Sequence, residues 1–360
     1  MMRLNGQRIF AGILGIASFV LVTCMMREKW KGATKYSFSK SDAENIVPKL
    51  AQLQRDPFVK NLHGMESTVS NTSSTPTSTI SLEDAIRNEQ ERRQEILQAA
   101  CQSLNISRPV EYSHMLVSDP HKILFNFIPK VSCKSWKELW SQLRKLNGTG
   151  NVSLGKYSPV ERQYRLANYR KVLFVREPLS RILSAYMSKF RGGALYDHAP
   201  LQRYWENAFG VDIVQRYRGV TVSKLDKHRW LNITFPELIL YVTDLGSGIR
   251  MTAFNDHWFP QHIVSHPCQI KYDFIGHFEN LSVEGPYVLR WLGIDHLVQL
   301  PEYHNSNAAK SLVEYYKKIP LELFRKLGDY YLEDYRLFGY SLEETIGRVT
   351  RGVFQNDARR

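Results

Sequence analysis

A chain of 360 residues that is 43% hydrophobic has enough material for one substantial core plus appendages. Its 48 basic and 35 acidic side chains give a net charge of +13, a field that draws polyanions. The absence of a zinc-finger spacing or a nucleic-acid module excludes nucleic acid as the partner and leaves an acidic glycan or a bis-phosphorylated nucleotide. Four cysteines exclude a disulfide-built scaffold.

The first eight residues, with Arg3 and Arg8, read as a short cytoplasmic tail. Ile9 to Met26, IFAGILGIASFVLVTCMM, carries no charge, and at 1.5 Å per residue covers about 27 Å of a ~30 Å hydrocarbon layer. The run exceeds a usual signal-peptide core and ends without a small-x-small cleavage signal, which predicts a retained transmembrane signal-anchor. Arg27, Lys29 and Lys31 balance the basic residues before it, so charge does not orient it. Sequons at Asn71, Asn105, Asn147, Asn151, Asn232 and Asn280 all lie beyond the span, which predicts a glycoprotein of single-pass type II topology with a luminal carboxyl-terminal portion. Residues 27–80 read as a stem, flexible where Ser67 to Thr79 is almost all Ser and Thr. With Cys24 inside the span, Cys101, Cys133 and Cys268 remain; one stays a thiol or pairs between chains, which allows a homodimer.

Residues 81–345 read as the catalytic-sized domain and 346–360 as a flexible basic tail. Leu82 to Ala100 is charged and helical, with Ile86, Ile96 and Leu97 as a thin apolar set. Lys122 to Ile128, KILFNFI, is a strand. A helix follows from Lys134 to Lys145, with Trp136, Leu139, Trp140, Leu143 and Leu146 on one face. A second strand, Tyr169 to Val175, leads through Arg176 and Glu177 into a helix opened by Pro178, whose buried face is Leu179, Ile182, Leu183, Tyr186 and Phe190. Trp230 to Val242 includes a β-prone run, Tyr272 to Ile275 is a short strand, and Pro286 to Leu292 and Ser311 to Tyr335 are helical. Two strand-to-helix units predict an α/β fold with a central, mainly parallel sheet flanked by helices.

Both strand-to-helix turns suit anions. At Pro129-Lys130-Val131-Ser132-Cys133-Lys134-Ser135 the helix start offers unpartnered N–H groups and the positive end of the helix dipole, Lys130 adds an ammonium and Ser132 a hydroxyl. The segment lacks Gly-x-x-x-x-Gly-Lys-Ser/Thr, so it is not an ordinary ATP or GTP phosphate loop. At the second turn Arg176 leaves a strand end, and Arg181, Ser184 and Ser188 form a polar stripe along the helix. A solvated flank, with Arg181 paired to Glu177 four residues back, is the alternative account of that stripe.

FNFIPKVSCKSW at 125–136 and VLFVREPLSRILSAYMSKF at 172–190 resemble the two nucleotide-binding motifs of Golgi carbohydrate sulfotransferases, particularly the group of the HNK-1 and chondroitin/dermatan/GalNAc 4-O-sulfotransferases. FNDHWFPQ at 254–261 and PCQIKYDFIGHFENL at 267–281 extend the likeness to roughly residues 90–340. The resemblance implies a P-loop-like sulfotransferase fold, a Golgi-membrane location and 3′-phosphoadenosine 5′-phosphosulfate (PAPS) as donor. It places the Lys130 loop at the 5′-phosphosulfate, and Arg176 with Ser184 at the 3′-phosphate. Where that family often has Leu-Cys-x-Pro-Cys, this chain has Val264-Ser265-His266-Pro267-Cys268, so its disulfide pairing cannot be carried over.

Sulfuryl transfer needs compensation of charge on the departing oxygen, for which Lys130 is the candidate, and a base for the acceptor hydroxyl. His257 is the first candidate base, with Asp256 or Glu177 as substitutes; a structural or acceptor-binding His257 fits the sequence equally. His262 and His266 stand four apart, but Pro260 and Pro267 interrupt a helical ligand arrangement, and no metal is expected. Arg191-Gly192-Gly193 and the cluster Lys224, Lys227, His228 and Arg229 are candidates for acceptor contact. The acceptor expected is GalNAc at its 4-hydroxyl in a chondroitin or dermatan-type chain, with the 3-hydroxyl of terminal glucuronic acid as the alternative. A nucleotide-sugar glycosyltransferase is disfavoured by the lack of an Asp-x-Asp motif, and a non-catalytic glycan-binding protein by the joint presence of Lys130, Arg176 and Ser184.

Overall fold

The computed structural model describes residues 81–147, 153–191, 199–221, 230–244, 255–300 and 308–357. Four strands form one sheet in the order β1-β2-β3-β4: β1 Met115–Ser118, β2 Ile123–Asn126, β3 Arg170–Val175 and β4 Phe274–His277. β3 is parallel to both β2 and β4, but β1 runs antiparallel to β2, so where the sequence predicts a mainly parallel sheet the structure has a mixed one, with two parallel pairings and one antiparallel. The cause is a hairpin: Asp119 to Lys122 closes a tight loop, with the Lys122 N–H donating to the Asp119 carbonyl at 3.2 Å and Lys122 at φ 54°.

The helices, in chain order, are α1 Leu82–Leu104, α2 Cys133–Asn147, α3 Pro159–Asn168, α4 Pro178–Lys189, α5 Ala199–Trp205, α6 Val211–Tyr217, α7 Phe235–Thr243, α8 Gln261–Ser265, α9 Leu281–Leu292, α10 Ala308–Tyr316, α11 Leu321–Tyr330, α12 Leu332–Phe338 and α13 Leu342–Asp357. The stretch expected to include a strand after Trp230 is instead α7, started by a capping box between Thr234 and Glu237 with Pro236 in its first turn. Ser311 to Tyr335 is not one helix but three, and α13 continues past Thr350, where fraying is expected.

Two compact units emerge. The larger takes the described residues up to Ala185, those from Asp256 to Lys317 and those from Gly328 onward; the smaller takes those from Tyr186 to Asn255 and from Lys318 to Leu327. In the larger unit Leu124, Phe125, Val172, Leu173, Phe174 and Ile275 are buried on a sheet covered on both faces. α2 lays Trp136, Leu139, Trp140 and Leu143 onto it, with the Trp136 ring 4.5 Å from Phe125 and 5.0 Å from Phe174. The outer edge of β4 is met by side chains from α1: Gln90 exchanges two hydrogen bonds with the Ile275 peptide, and Arg93 donates to the Ile275 carbonyl at 2.8 Å. Arg93 is itself buried and paired with Glu284 at 2.8 Å, and Glu284 accepts from the His277 N–H. In the smaller unit α6 and α7 pack together, and Arg218 ties Glu237 to the Leu231 and Asn232 carbonyls.

The expected signal-anchor (9–26), the stem (27–80), the glycines after Arg191 and the cluster at 224–229 lie outside the described residues. Among the described residues no helix is long and apolar enough to cross a membrane. The one of spanning length, α1, carries charges from Glu83 to Glu95 along its whole first half. The expectations of a transmembrane anchor, a membrane partner and a Golgi-membrane location find no support among the described residues.

Cys101 and Cys268 form a disulfide, and Cys133 is the thiol among the described cysteines. The pairing joins the end of α1 to the segment ahead of β4.

Candidate active site

The chain leaves β2 through Phe127, Ile128 and Pro129 and turns at Lys130. Lys130 (φ 71°) and Ser132 (φ 53°) both adopt the left-handed region, with buried Val131 between them. Such a conformation costs non-glycine residues about 1 kcal/mol or more each. Alternating backbone handedness turns successive N–H groups to one side, the arrangement of an anion-binding concavity. α2 starts directly after it, with no acidic residue in its first turn and Arg144 and Lys145 in its last. The Ser132 carbonyl accepts the Trp136 N–H at 3.1 Å and the Ser132 hydroxyl donates to Ser135 at 3.3 Å. Lys130, Ser132, Cys133 and Ser135 are half-buried and Lys134 is exposed, so the loop opens outward while Val131 pins it inward. These donors, an ammonium beside a helix start without a carboxylate, match the chemistry of a phosphosulfate.

The second turn contacts the first. Arg176 is buried, its peptide is held by Gln261 through two hydrogen bonds of 2.8 and 2.7 Å, and its guanidinium lies 4.2 Å from the Phe278 ring centroid. From there Nη1 donates to the Lys130 carbonyl at 3.0 Å. Ser184 sits two turns into α4, partly exposed among buried neighbours. Glu177 is not available as a base. Its carboxylate accepts the Leu179 and Ser180 N–H groups as the cap of α4, and also the Tyr335 hydroxyl at 2.5 Å and the Thr345 hydroxyl at 3.2 Å.

Arg181 does not pair with Glu177 and is not on a solvated stripe. It is wholly buried, and donates to the carbonyls of Pro129 at 3.0 Å, Phe259 at 2.6 Å and Asp256 at 2.5 Å. Burial lowers its pKa, although nearby Tyr331 and Asp334 oppose this. A rigid five-donor fork suits this task, since one side chain bonds three carbonyls of two separate segments. Through it the Lys130 loop is tied to the segment bearing His257.

In that segment the Asp256 carboxylate stands between two imidazoles, 2.9 Å from His257 Nδ1 and 2.8 Å from His114 Nε2. Burial works to raise the Asp256 pKa, but the hydrogen bonds from His114 and His257 outweigh it and hold the carboxyl well below the usual range. Sequence reasoning missed His114, for it lies far from Asp256 along the chain. His262 is occupied by Asp334 at 2.8 Å, and His266 accepts the Glu111 N–H at 3.0 Å. Both are buried packing groups, and among the described residues no cluster of three or more His, Cys, Asp or Glu could hold a metal ion.

Residues 113–341, which enclose both turns and the Asp256 segment, match the sequence model of the sulfotransferase family. The chain is 32% identical over 263 residues to carbohydrate sulfotransferase 14 of Danio rerio, covering 68% of this chain and 67% of that protein. It belongs to the carbohydrate sulfotransferase family. Identity to carbohydrate sulfotransferase 11 of Rattus norvegicus is 31% over 258 residues, 65% of this chain and 69% of the relative. To the Homo sapiens carbohydrate sulfotransferase 14 it is 33% over 244 residues, 64% and 60%. No solved structure matches. As a carbohydrate sulfotransferase the protein is an enzyme of PAPS-dependent carbohydrate sulfation.

Proposed function

We propose that this sulfotransferase acts on the 4-hydroxyl of GalNAc in a chondroitin or dermatan-type chain, with Lys130 and His257 as its catalytic residues. The observation that supports the site assignment is the contact of Arg176 Nη1 with the Lys130 carbonyl at 3.0 Å, which brings the two turns together. The choice of acceptor rests on the likeness to the GalNAc 4-O-sulfotransferase group and on the net charge of +13, suited to an acidic polymer.

In this reading the N–H groups from Ser132 to Ser135, with the hydroxyls of Ser132 and Ser135 and the ammonium groups of Lys130 and Lys134, hold the 5′-phosphosulfate, while Val131, expected to join them, spends its N–H on the Ile128 carbonyl at 3.2 Å. Arg176 and Ser184 hold the 3′-phosphate. Bound PAPS supplies an activated sulfuryl group. Lys130 compensates the negative charge left on the phosphate oxygen when the S–O bond breaks. His257, with Nδ1–H given to Asp256, carries its lone pair on Nε2 and takes the proton of the acceptor hydroxyl while the oxygen keeps the electron pair for sulfur. The ionised Asp256 then stabilises the imidazolium.

The test is incubation of the purified enzyme with sulfur-labelled PAPS and separate chondroitin, dermatan and glucuronic-acid-terminated acceptors, followed by disaccharide analysis of the product. Label in a 4-sulfated GalNAc disaccharide is expected. Label confined to the glucuronic acid acceptor would reassign the hydroxyl, and no label in any would refute the acceptor class.

A further inference from the structure

His114 lies just before β1, and three independent contacts fix its position. Its carbonyl accepts the Phe127 N–H at 3.0 Å, its ring packs 4.8 Å from the Phe127 ring, and its Nε2 meets Asp256 Oδ2 at 2.8 Å. Nδ1 stands 3.3 Å from the Ser113 hydroxyl, a pairing that places the proton on Nε2 when the hydroxyl donates. Phe127 is also the residue that leads into the Lys130 turn, and the Lys137 ammonium of α2 lies 3.7 Å from its ring centroid. His114 is thus built into the wall beside the donor loop.

Asp256 would be poorly held without it. The torsion that turns a carboxylate about its Cβ–Cγ bond is broad, so a hydrogen bond to one oxygen leaves the other free to swing. In this enzyme Arg181 fixes the Asp256 main chain at its carbonyl, His114 holds Oδ2, and Oδ1 receives His257 Nδ1 at 2.9 Å. Each carboxylate oxygen serves one ring. The pattern is that of a base whose tautomer and direction are set by a carboxylate, extended by a second imidazole that sets the carboxylate.

The geometry points to His114 as a positioning residue for sulfuryl transfer, holding the Asp256 carboxylate so that His257 is presented in one tautomer and one orientation. This rests on the reading of His257 as the base. The required function of His114 is N–H donation, and glutamine, whose side-chain amide reaches about as far as Nε2, can supply it.

The experiment uses the purified enzyme with nitrogen-labelled histidine and the variants His114→Ala, His114→Gln, His257→Ala and the double alanine variant. Imidazole nitrogen NMR is expected to show His257 as the single Nδ1–H tautomer in the wild type and in His114→Gln, and as a mixture in His114→Ala. In turnover with PAPS and chondroitin, His114→Ala is expected to lower kcat about tenfold with the donor KM unchanged, and His114→Gln to restore most of it. In the His257→Ala background, removal of His114 is expected to change kcat less than twofold, because the residue acts only through the missing ring. A single His257 tautomer in His114→Ala, or a loss of kcat that multiplies in the double variant, would overturn the proposal. Wild-type turnover by His257→Ala would instead remove the base assignment, and the NMR arm would still decide whether His114 orients the pair.

Discussion

Replacing Arg181 by lysine keeps a positive charge on α4 but removes the fork. A single ammonium lacks the span of the fork and is expected to keep one of the carbonyls of Pro129, Phe259 and Asp256, now bonded at 3.0, 2.6 and 2.5 Å. Hydrogen bonds to a charged group contribute about 1.5–3 kcal/mol each, so losing two costs about 3–6 kcal/mol. The side chain is 1% exposed, which denies the abandoned carbonyls an easy exchange with water. For a domain of this size 1 kcal/mol moves the melting temperature by about 2–4 °C, so Arg181→Lys is expected to melt on the order of 10 °C below wild type. Calorimetry measures this directly, and turnover well below the melting range measures the second effect, a drop in kcat as the Lys130 loop and the Asp256 segment lose their common tie. A variant melting within 2 °C of wild type at full turnover would refute the reasoning, for the three contacts would then carry no net energy.

Lys130→Ala is expected to lower kcat by about 10²–10³ without changing the melting temperature, and wild-type turnover would remove the residue from the mechanism. On its proposed role at the 3′-phosphate, Arg176→Ala is expected to weaken adenosine 3′,5′-bisphosphate by at least ~10-fold in titration calorimetry, through loss of a charged phosphate donor; equal affinity would contradict that role. Cys101→Ser is expected to destabilise the fold by on the order of 3–5 kcal/mol and to abolish any effect of reductant on melting, because the bond closes a loop of 167 residues. Burial beside Arg93 pushes His277 down to about 3, against ~6.5 in the unfolded chain. Between those values the unfolded state binds more protons, so the contribution is intact above about pH 6.5 and on the order of 1 kcal/mol is lost by pH 5.5. Urea unfolding at pH 7.5 and 5.5 is expected to show that loss in wild type and its disappearance in His277→Gln.

The strands at 123–126 and 170–175, and the helices after them, are legible in the sequence because local period and order of elements coincide there. β1 is not, since its four residues are buried on both faces and show no alternation. α7 reads as β-prone because Ile239, Tyr241 and Val242 outweigh the capping signal of Thr234 and Glu237, which was present and decided the outcome. Arg181 and Glu177 are four apart, and periodicity alone pairs them; tertiary structure sends one to three carbonyls and the other to a helix start. The Lys130 and Arg176 turns could be read separately but their contact could not. His114 carried no local signal at all, since its partner lies 142 residues further on.

The finish of the sheet at β4 has a bearing on how the protein behaves when crowded. An outermost strand normally offers a ladder of idle amides and carbonyls to any neighbouring chain. At Ile275 and His277 those groups are already taken by Gln90, Arg93 and Glu284. A strand arriving from another molecule would have to evict a paired arginine and glutamate from the interior before it could dock, so this rim is guarded against runaway polymerisation by α1 and α9 together.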